Sequence, residues 1–144
     1  MDCSDPIELL SSTPFNYTLE MAYENNDILN TPTAKSINTG RLNLFMQNVN
    51  NGISDCVFIT IWGIDGPPTT SILKYDGSEI TYFVDNSRFS KIPGDIQSYK
   101  ITQLYTDTVD YNNLILTNYH AIDSNNIDFI VYREYVFINL KRIY

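Results

Sequence analysis

From residue 55 onward the chain is a series of short runs rich in β-branched and aromatic residues, separated by turn dipeptides. This pattern is typical of strands in an antiparallel sheet. The run from Cys56 to Trp62 is apolar at almost every position, which predicts a central strand that packs on both faces. Further strands are predicted at 70–75, 79–84, 98–105, 113–120, 127–132 and 135–142. Asn125-Asn126 and Arg133-Glu134 are predicted turns.

The dipeptide Asp76-Gly77 lies between two of these predicted strands. Asp-Gly in that position is a strong hairpin signal, because a two-residue type I′ turn needs positive φ at both central residues. Glycine adopts positive φ freely and aspartate tolerates it. The dipeptide therefore predicts a tight hairpin between residues 70–75 and 79–84.

Before residue 55 the hydrophobic period is helical. Four apolar side chains recur at the spacing i, i+3, i+4 and i+7, namely Leu42, Phe45, Met46 and Val49. This spacing predicts a helix whose apolar side packs against the sheet. Asn38 or Thr39 can cap its start, and Gly52 can supply the left-handed residue after its end. A shorter helix is predicted over residues 17–25.

Helices followed by strands indicate an α+β fold. We expect two short N-terminal helices packed on one face of an antiparallel sheet of about five to seven strands. Residues 1–16 are polar and hold two prolines, so they are predicted to be an extended lead-in. Residues 17–144 are predicted to form a single domain, since 144 residues suit one core.

Four segments occur in an order that resembles a family of small Gram-positive lipoprotein domains of the Bacillus and Clostridium type. They are Arg41–Gly52, Ile64–Pro68, Leu73–Tyr82 and Asp85–Arg88. The resemblance covers about residues 20–90, and it supports the fold prediction because the function of that family is not established. The chain departs from the family in having no cysteine after Cys56, and in carrying Pro67 where the family turn has aspartate.

The charge balance restricts the partners. The chain has 17 acidic and 9 basic residues and a formal charge of −8. An acidic surface repels a phosphate backbone, so a nucleic-acid polymer is not an expected partner. No stretch approaches the roughly 18–20 apolar residues of a transmembrane helix, so no membrane span is expected.

The chain has two cysteines, Cys3 and Cys56. They could form one disulfide, but Cys56 in a buried strand is expected to be a free, small hydrophobe. No signal peptide is visible, which predicts a cytoplasmic protein if Met1 is native. The alternative is an extracytoplasmic lipoprotein anchored through Cys3, because Cys3-Ser4-Asp5 resembles the mature end of such proteins.

No motif for catalysis or metal binding is present. The single histidine, His120, lies in no nucleophile, phosphate-loop or zinc motif. We therefore expect no catalytic residues, no metal site and no cofactor.

Aromatic residues in and beside the predicted strands are the most distinctive feature, and most are expected to be core. A ligand site is predicted where they meet a basic loop residue, and it comprises Arg88, Trp62, Tyr82, Asp85 and Arg133. Arg88 suits an anionic group, because a planar guanidinium can bind phosphate through two hydrogen bonds. The alternative role of Arg88 is an ion pair with Asp85 inside its loop. Lys141 is a further candidate cation.

These features favour a non-enzymatic binding module. If Met1 is native, the protein is expected to be a phage or mobile-element accessory protein that captures a host protein or a small signalling nucleotide. The alternatives are the lipoprotein domain anchored through Cys3 and a hydrolase of unfamiliar type that uses aspartate and His120. The sequence predicts no oligomeric state.

Overall fold

The computed structural model describes residues 3–138. Four helices occur in this part of the chain: α1 (Pro6–Ser11), α2 (Leu19–Glu24), α3 (Thr39–Asn50) and α4 (Ser87–Ser90). The strands of the same residues are β1 (Ile28–Asn30), β2 (Ser36–Ile37), β3 (Asp55–Ile61), β4 (Thr69–Tyr75), β5 (Ile80–Asp85), β6 (Ile96–Tyr111), β7 (Leu114–Asp123) and β8 (Asp128–Phe137). None of these helices has the length and apolar character needed to cross a bilayer.

The strands form one sheet in the order β2-β1-β3-β4-β5-β6-β7-β8. β1 is parallel to β3, and the other neighbours are antiparallel. The sheet curls until β8 approaches β1 and β2. Asn30 Nδ2 donates to the Arg133 carbonyl at 2.9 Å, and the Tyr135 N–H donates to Ser36 Oγ at 2.8 Å. Side chains therefore bridge the two ends of a half-barrel.

Helix α3 lies on the concave face of the sheet. Leu42 and Phe45 are fully buried there, and Met46 and Val49 pack against the same core, as their spacing predicted. Two polar contacts hold the helix to the far strands. Thr39 hydrogen-bonds the Tyr132 hydroxyl at 2.9 Å, and the Tyr119 hydroxyl donates to Asn43 at 2.6 Å.

The N-terminal segment covers the convex face of β3, β4 and β5. Leu10 of α1, Tyr17 and Ala22 of α2 are buried against Phe58 and Ile72. Because both faces of β3 are covered, the run from Cys56 to Trp62 is a central strand, as its composition predicted.

The predicted fold class was wrong in three respects. Within residues 3–138 the sheet has eight strands rather than five to seven, and β1 and β3 pair in parallel. The helices lie on both faces of the sheet rather than on one. Strands of three and two residues, such as β1 and β2, carry too little pattern for a sequence argument to find.

Two segment boundaries also differed from expectation. The predicted extended lead-in contains α1, which Asp5 caps by accepting from the Glu8 N–H at 3.1 Å. The predicted turn at Arg133-Glu134 does not occur. Strand β8 continues through both residues, since Arg133 pairs with Asn118 and Glu134 with Thr117 of β7. The end of the predicted strand 135–142 lies outside the described residues.

The hairpin of β4 and β5 forms in the predicted place, with Leu73 opposite Tyr82. The Asp76 N–H donates to the Glu79 carbonyl at 3.1 Å, so the central residues are Gly77 and Ser78. Gly77 has φ of +98° and Asp76 has no positive φ, so the predicted type I′ turn was wrong. Asp76 instead accepts from the N–H groups of Ser78 and Glu79.

The expectation of a free Cys56 was also wrong. Cys3 and Cys56 form a disulfide with their Cα atoms 6.3 Å apart, across a separation of 53 residues. The N-terminal segment crosses the convex face, and this path carries Cys3 to the start of β3. No local sequence pattern predicts that path.

Candidate functional site

A cavity of about 490 Å³ lies between the segment after α1, helix α4 and the loop that leads into β6. We call it the Arg88 pocket. Its lining residues are Ser11, Thr13, Phe15, Asp85, Ser87, Arg88, Lys91, Pro93, Gly94 and Ile96. Small-molecule sites typically have volumes of about 300–1,000 Å³, with mostly apolar walls and a few polar groups. The Arg88 pocket has this size and this mixture.

The local sequence turns the chain sharply at the end of β5. Asp85 Oδ1 accepts from the Ser87 N–H at 2.9 Å and from the Ser87 hydroxyl at 2.6 Å. Such aspartate-to-backbone bonds stabilise turns. The turn starts α4 and brings Arg88 back beneath β4 and β5, so the Asp85-Asn86-Ser87 sequence determines where Arg88 lies.

The Arg88 side chain is only 2% exposed and forms three hydrogen bonds. Nη1 donates to Asp85 Oδ2 at 3.3 Å and to Thr70 Oγ1 at 3.1 Å, and Nη2 donates to the Pro14 carbonyl at 2.8 Å. The predicted ion pair with Asp85 is therefore present, but it is buried rather than exposed on a loop. The Arg88 Nε atom is also buried, and it has no partner within residues 3–138.

Lys91 contributes a second cation to the wall of the pocket. It ends α4 in a left-handed conformation with φ of +60°. It is exposed and forms no ion pair with the rest of the described chain. With Arg88, Lys91 and Asp85 charged, the lining carries +2 and −1, a net +1. This local charge contrasts with the formal charge of −8 for the whole chain.

The structure brings together two of the five predicted site residues, Arg88 and Asp85. Trp62 is half-buried on the same convex face, in the cluster beneath α1, and it does not line the pocket. Tyr82 lies on the concave face, where its ring centroid is 5.6 Å from that of Phe129. Side chains alternate along β5, so Tyr82 and Asp85 point to opposite faces.

Arg133 lies on β8, three strands away from β5 in the sheet. Its Nε donates to Asn118 Oδ1 at 3.1 Å, so it does not converge with Arg88. Lys141, the further candidate cation, lies outside the described residues.

A second polar cluster, which the sequence did not predict, surrounds His120 on the convex face of β6, β7 and β8. His120 Nδ1 lies 2.9 Å from Asp128 Oδ1, and Nε2 lies 3.1 Å from Asp107 Oδ2 at a poor hydrogen-bond angle. The imidazole stacks on the Tyr105 ring with centroids 4.3 Å apart. The register places Tyr105 opposite His120, and the sequence contains no local signal for that register.

The charges of this cluster stabilise the imidazolium ion. Burial lowers the pKa of His120, but the two carboxylates outweigh burial and raise it. Hydrogen bonds from Tyr105 and His120 lower the pKa of Asp128, while the hydrogen bond from Asn118 and the nearby His120 ring lower the pKa of Asp107. The bond to Asp128 raises the pKa of Tyr105 to about 12. Both nitrogens of His120 therefore face carboxylates.

A larger groove of about 740 Å³ lies beside the disulfide at the start of β3. Its cations are Arg41 and Lys74, and its carboxylates are Asp55 and Asp76. Arg41 donates two hydrogen bonds to Asp55, at 2.9 and 2.5 Å. Burial raises the pKa of Asp55, but hydrogen bonds from Arg41 and Asn48 lower it further than burial raises it. The groove has no net charge from these four groups, so it lacks the local positive charge of the Arg88 pocket.

Comparison of the chain with protein-family models, with curated proteins and with solved structures gave no match. The resemblance to the lipoprotein domain family over about residues 20–90 therefore stays a prediction.

Proposed function

We propose that the protein is a non-enzymatic binding module that holds a small ligand with one anionic group in the Arg88 pocket. The observation that carries the proposal is a deeply buried arginine that lines a cavity and keeps one N–H unpaired. A buried donor without a partner costs about 1–3 kcal/mol, so a ligand whose binding opens the pocket as far as Nε gains an interaction that the free protein lacks. Water does not reach this atom in the free protein.

The charge of the pocket limits the ligand. Asp85 neutralises Arg88, so Lys91 provides the unbalanced positive charge. One carboxylate or one phosphodiester, each with a single negative charge, matches a net charge of +1, whereas a triphosphate does not. Phe15, which is 73% exposed at the edge of the pocket, offers an aromatic face to a planar group. A cyclic mononucleotide combines a single phosphate charge with such a planar base.

The geometry of His120 favours a binding role over the hydrolase alternative. Hydrolysis by aspartate and histidine needs an imidazole nitrogen that can accept a proton. Both ring nitrogens of His120 face carboxylates of the sheet, and His120 lines neither the Arg88 pocket nor the groove beside the disulfide. We therefore propose a binding protein rather than an enzyme.

The disulfide supports an oxidising compartment as the place of action, because disulfides persist mainly outside the cytosol. A lipid on the Cys3 sulfur and the bond from that sulfur to Cys56 exclude each other. A phage or mobile-element protein that captures a signalling nucleotide in the cytoplasm would instead hold both cysteines as thiols, because the cytosol is reducing. Alkylation and mass spectrometry of the protein taken from its own cells distinguish these locations.

Titration calorimetry tests the ligand proposal with inorganic phosphate, a cyclic mononucleotide and a monocarboxylate. The informative variant is Lys91→Asn, because asparagine tolerates the left-handed conformation and removes only the charge. The matched control is Lys35→Asn, which removes an exposed lysine far from the pocket. We expect Lys91→Asn to weaken binding about tenfold, or about 1.4 kcal/mol, and Lys35→Asn to leave it unchanged.

Two outcomes contradict the proposal. One is that no compound of the panel binds the unmodified protein with Kd below about 1 mM. The other is that the two lysine variants lose affinity equally, because general charge rather than the pocket would then explain binding.

A further inference from the structure

One edge of the Arg88 guanidinium meets the N-terminal segment. The planar group carries Nε and Nη2 side by side on this edge, and the two N–H groups together can bind two oxygens of one anion. In the structure Nη2 donates to the Pro14 carbonyl at 2.8 Å, whereas Nε is buried and has no partner within residues 3–138. A neutral carbonyl therefore occupies half of an edge that suits an anion.

The segment that supplies this carbonyl packs loosely. We call residues 12–16 the lid, and its side chains are exposed except for Thr13, which is half-buried. Thr13 and Phe15 line the Arg88 pocket. The Pro14 carbonyl also accepts from the Tyr17 N–H at 3.1 Å, so it keeps a donor when a ligand takes Nη2. Because a hydrogen bond to an anion is about twice as strong as one to a neutral carbonyl, an anion can replace the lid on Arg88.

The lid is tied to helix α1. The Ser12 and Thr13 hydroxyls each donate to the Leu9 carbonyl at 3.1 Å, and the Thr13 N–H donates to the Leu10 carbonyl at 3.2 Å. In α1 itself only Pro6 and Leu10 are buried. A helix of six residues is not stable alone, so α1 depends on these two side chains and on the attachment of the chain at its start.

The disulfide provides that attachment. Cys3 precedes α1 and is bonded to Cys56 at the start of β3. At the other end of the segment Tyr17 is buried, and its hydroxyl donates to Asp27 at 2.7 Å. Residues 3–17 therefore form a loop that is fixed at both ends. When such a loop of about 15 residues leaves the sheet, it gains less conformational entropy than a free chain end, which makes its opening about a hundredfold rarer.

We propose that residues 12–16 are a redox-controlled lid. The Cys3–Cys56 disulfide holds the Pro14 carbonyl on Arg88, and reduction of the disulfide opens the Arg88 pocket to its anionic ligand. This inference rests on the ligand proposed for that pocket. The oxidised protein then has a low affinity for the ligand, and the same protein in a reducing compartment has a high affinity.

A dithiol is the class of reductant that the switch requires. Both cysteines are half-buried and line the groove of about 740 Å³, so a small reductant reaches the bond between them. One thiolate of the reductant attacks a protein sulfur and displaces the other, and its second thiol then closes a disulfide within the reductant. The reductant loses two electrons and two protons, and Cys3 and Cys56 each gain one electron and one proton.

Arginine labelling with phenylglyoxal tests the lid without any ligand. Mass spectrometry follows the labelling of Arg88 in the full chain with and without dithiothreitol, and the exposed Arg133 on β8 is the internal standard. We expect reduction to speed the labelling of Arg88 at least about tenfold, because the lid opens more often. The labelling of Arg133 should change less than about twofold, because β8 lies outside the segment that is released.

The matched control separates lid opening from a general loss of stability. Phe45→Ala in its oxidised form destabilises the protein from the concave face and leaves the disulfide in place. Its Arg88 should be labelled less than about twofold faster than in the unmodified oxidised protein, because the lid stays attached. Circular dichroism checks that the reduced protein and this variant are both folded.

Titration calorimetry with a cyclic mononucleotide measures the effect on the ligand. A closed lid lowers the apparent affinity by the fraction of molecules that are open. We therefore expect the reduced protein to bind the nucleotide at least about tenfold more tightly than the oxidised protein.

Three results overturn the inference. They are a rate of Arg88 labelling that reduction leaves unchanged, a reduced protein that is unfolded, and a reduced protein that binds the nucleotide no more tightly than the oxidised one. Failure of the ligand proposal alone gives a different result. Reduction would then speed the labelling of Arg88, as expected for the lid, but neither inorganic phosphate, the cyclic mononucleotide nor the monocarboxylate would bind either form.

Discussion

Replacing Arg88 with alanine removes a cation that lies almost wholly inside the protein. Only 2% of its side chain and 4% of the Asp85 side chain are exposed. As a loop residue on the surface, Arg88 would contribute little, because exposed ion pairs are worth about 0–1 kcal/mol. Burial changes this expectation, since Asp85 would keep a negative charge away from water with no cation beside it.

The expected loss of stability follows from the hydrogen bonds that Asp85 retains in the variant. In the variant, Asp85 still accepts from the N–H and the hydroxyl of Ser87, but it loses the guanidinium. The Pro14 carbonyl also loses its donor. Breaking one side of a buried ion pair typically costs about 3–5 kcal/mol. We therefore expect Arg88→Ala to lower the free energy of unfolding by about that amount.

Equilibrium unfolding in urea measures this change. For a domain of this size the free energy falls by about 2 kcal/mol per molar urea, so the midpoint should move down by about 1.5–2.5 M. The double variant Arg88→Met/Asp85→Asn removes both charges and should recover part of the loss. Lys35→Ala, at an exposed lysine, should leave the free energy of unfolding within about 0.5 kcal/mol of that of the unmodified protein.

The reasoning is refuted if Arg88→Ala costs less than about 1 kcal/mol, because the pair would then behave as an exposed one. It is also refuted if the loss of unfolding free energy in the double variant equals the sum of the losses in its two single variants. In that case the two charges would not depend on each other.

Four further predictions concern stability. Phe45→Ala should cost about 3–5 kcal/mol in urea unfolding, since Phe45 is fully buried on the concave face. Gly77→Val should cost more than about 1 kcal/mol, because a β-branched residue does not tolerate φ of +98°. Replacing both Cys3 and Cys56 with serine should cost about 4 kcal/mol, the value for a closed loop of 53 residues. The pKa of His120 is raised in the folded protein, so its ion pairs stabilise the fold fully below about pH 6.5. This stability should decline as pH rises through the folded pKa, and His120→Gln should remove that dependence.

Each of these predictions has its own contrary result. An unchanged urea midpoint for Phe45→Ala would show that the helical stripe is not core. Gly77→Ala must also destabilise the hairpin, and a neutral effect would contradict the positive φ. Equal stability of the oxidised and reduced protein would contradict the disulfide. An NMR titration that gives His120 a pKa at or below that of a model peptide would contradict its carboxylate contacts.

Much of the secondary structure was predictable because its signals are local. The period of 3.6 residues from Leu42 to Val49 identified α3, and the apolar run from Cys56 to Trp62 identified the central strand. Asp76-Gly77 located a hairpin, although hydrogen bonding to Glu79 moved the turn by one residue. These signals depend on residues at most about eight positions apart, which a sequence displays directly.

The candidate site was only half predictable. Arg88 and Asp85 are three residues apart, so their contact could be proposed from the loop sequence. Tyr82 was grouped with Arg88 and Asp85, but it lies on the opposite face of the sheet from Asp85, because side chains alternate along β5. Lys91 and the unpaired Nε of Arg88 gave no sequence signal.

The sequence by itself determined the positions of α3, of the central strand β3 and of the hairpin of β4 and β5, and it determined that any anion must find a local cluster of cations. The tertiary structure alone decided that Cys3 meets Cys56, that Arg88 is buried under the N-terminal segment, and that β6 pairs His120 with Tyr105. The physical reason is distance along the chain. Local conformation depends on neighbouring residues, whereas burial, disulfide pairing and strand register depend on contacts between segments that only the packing of the whole sheet brings together.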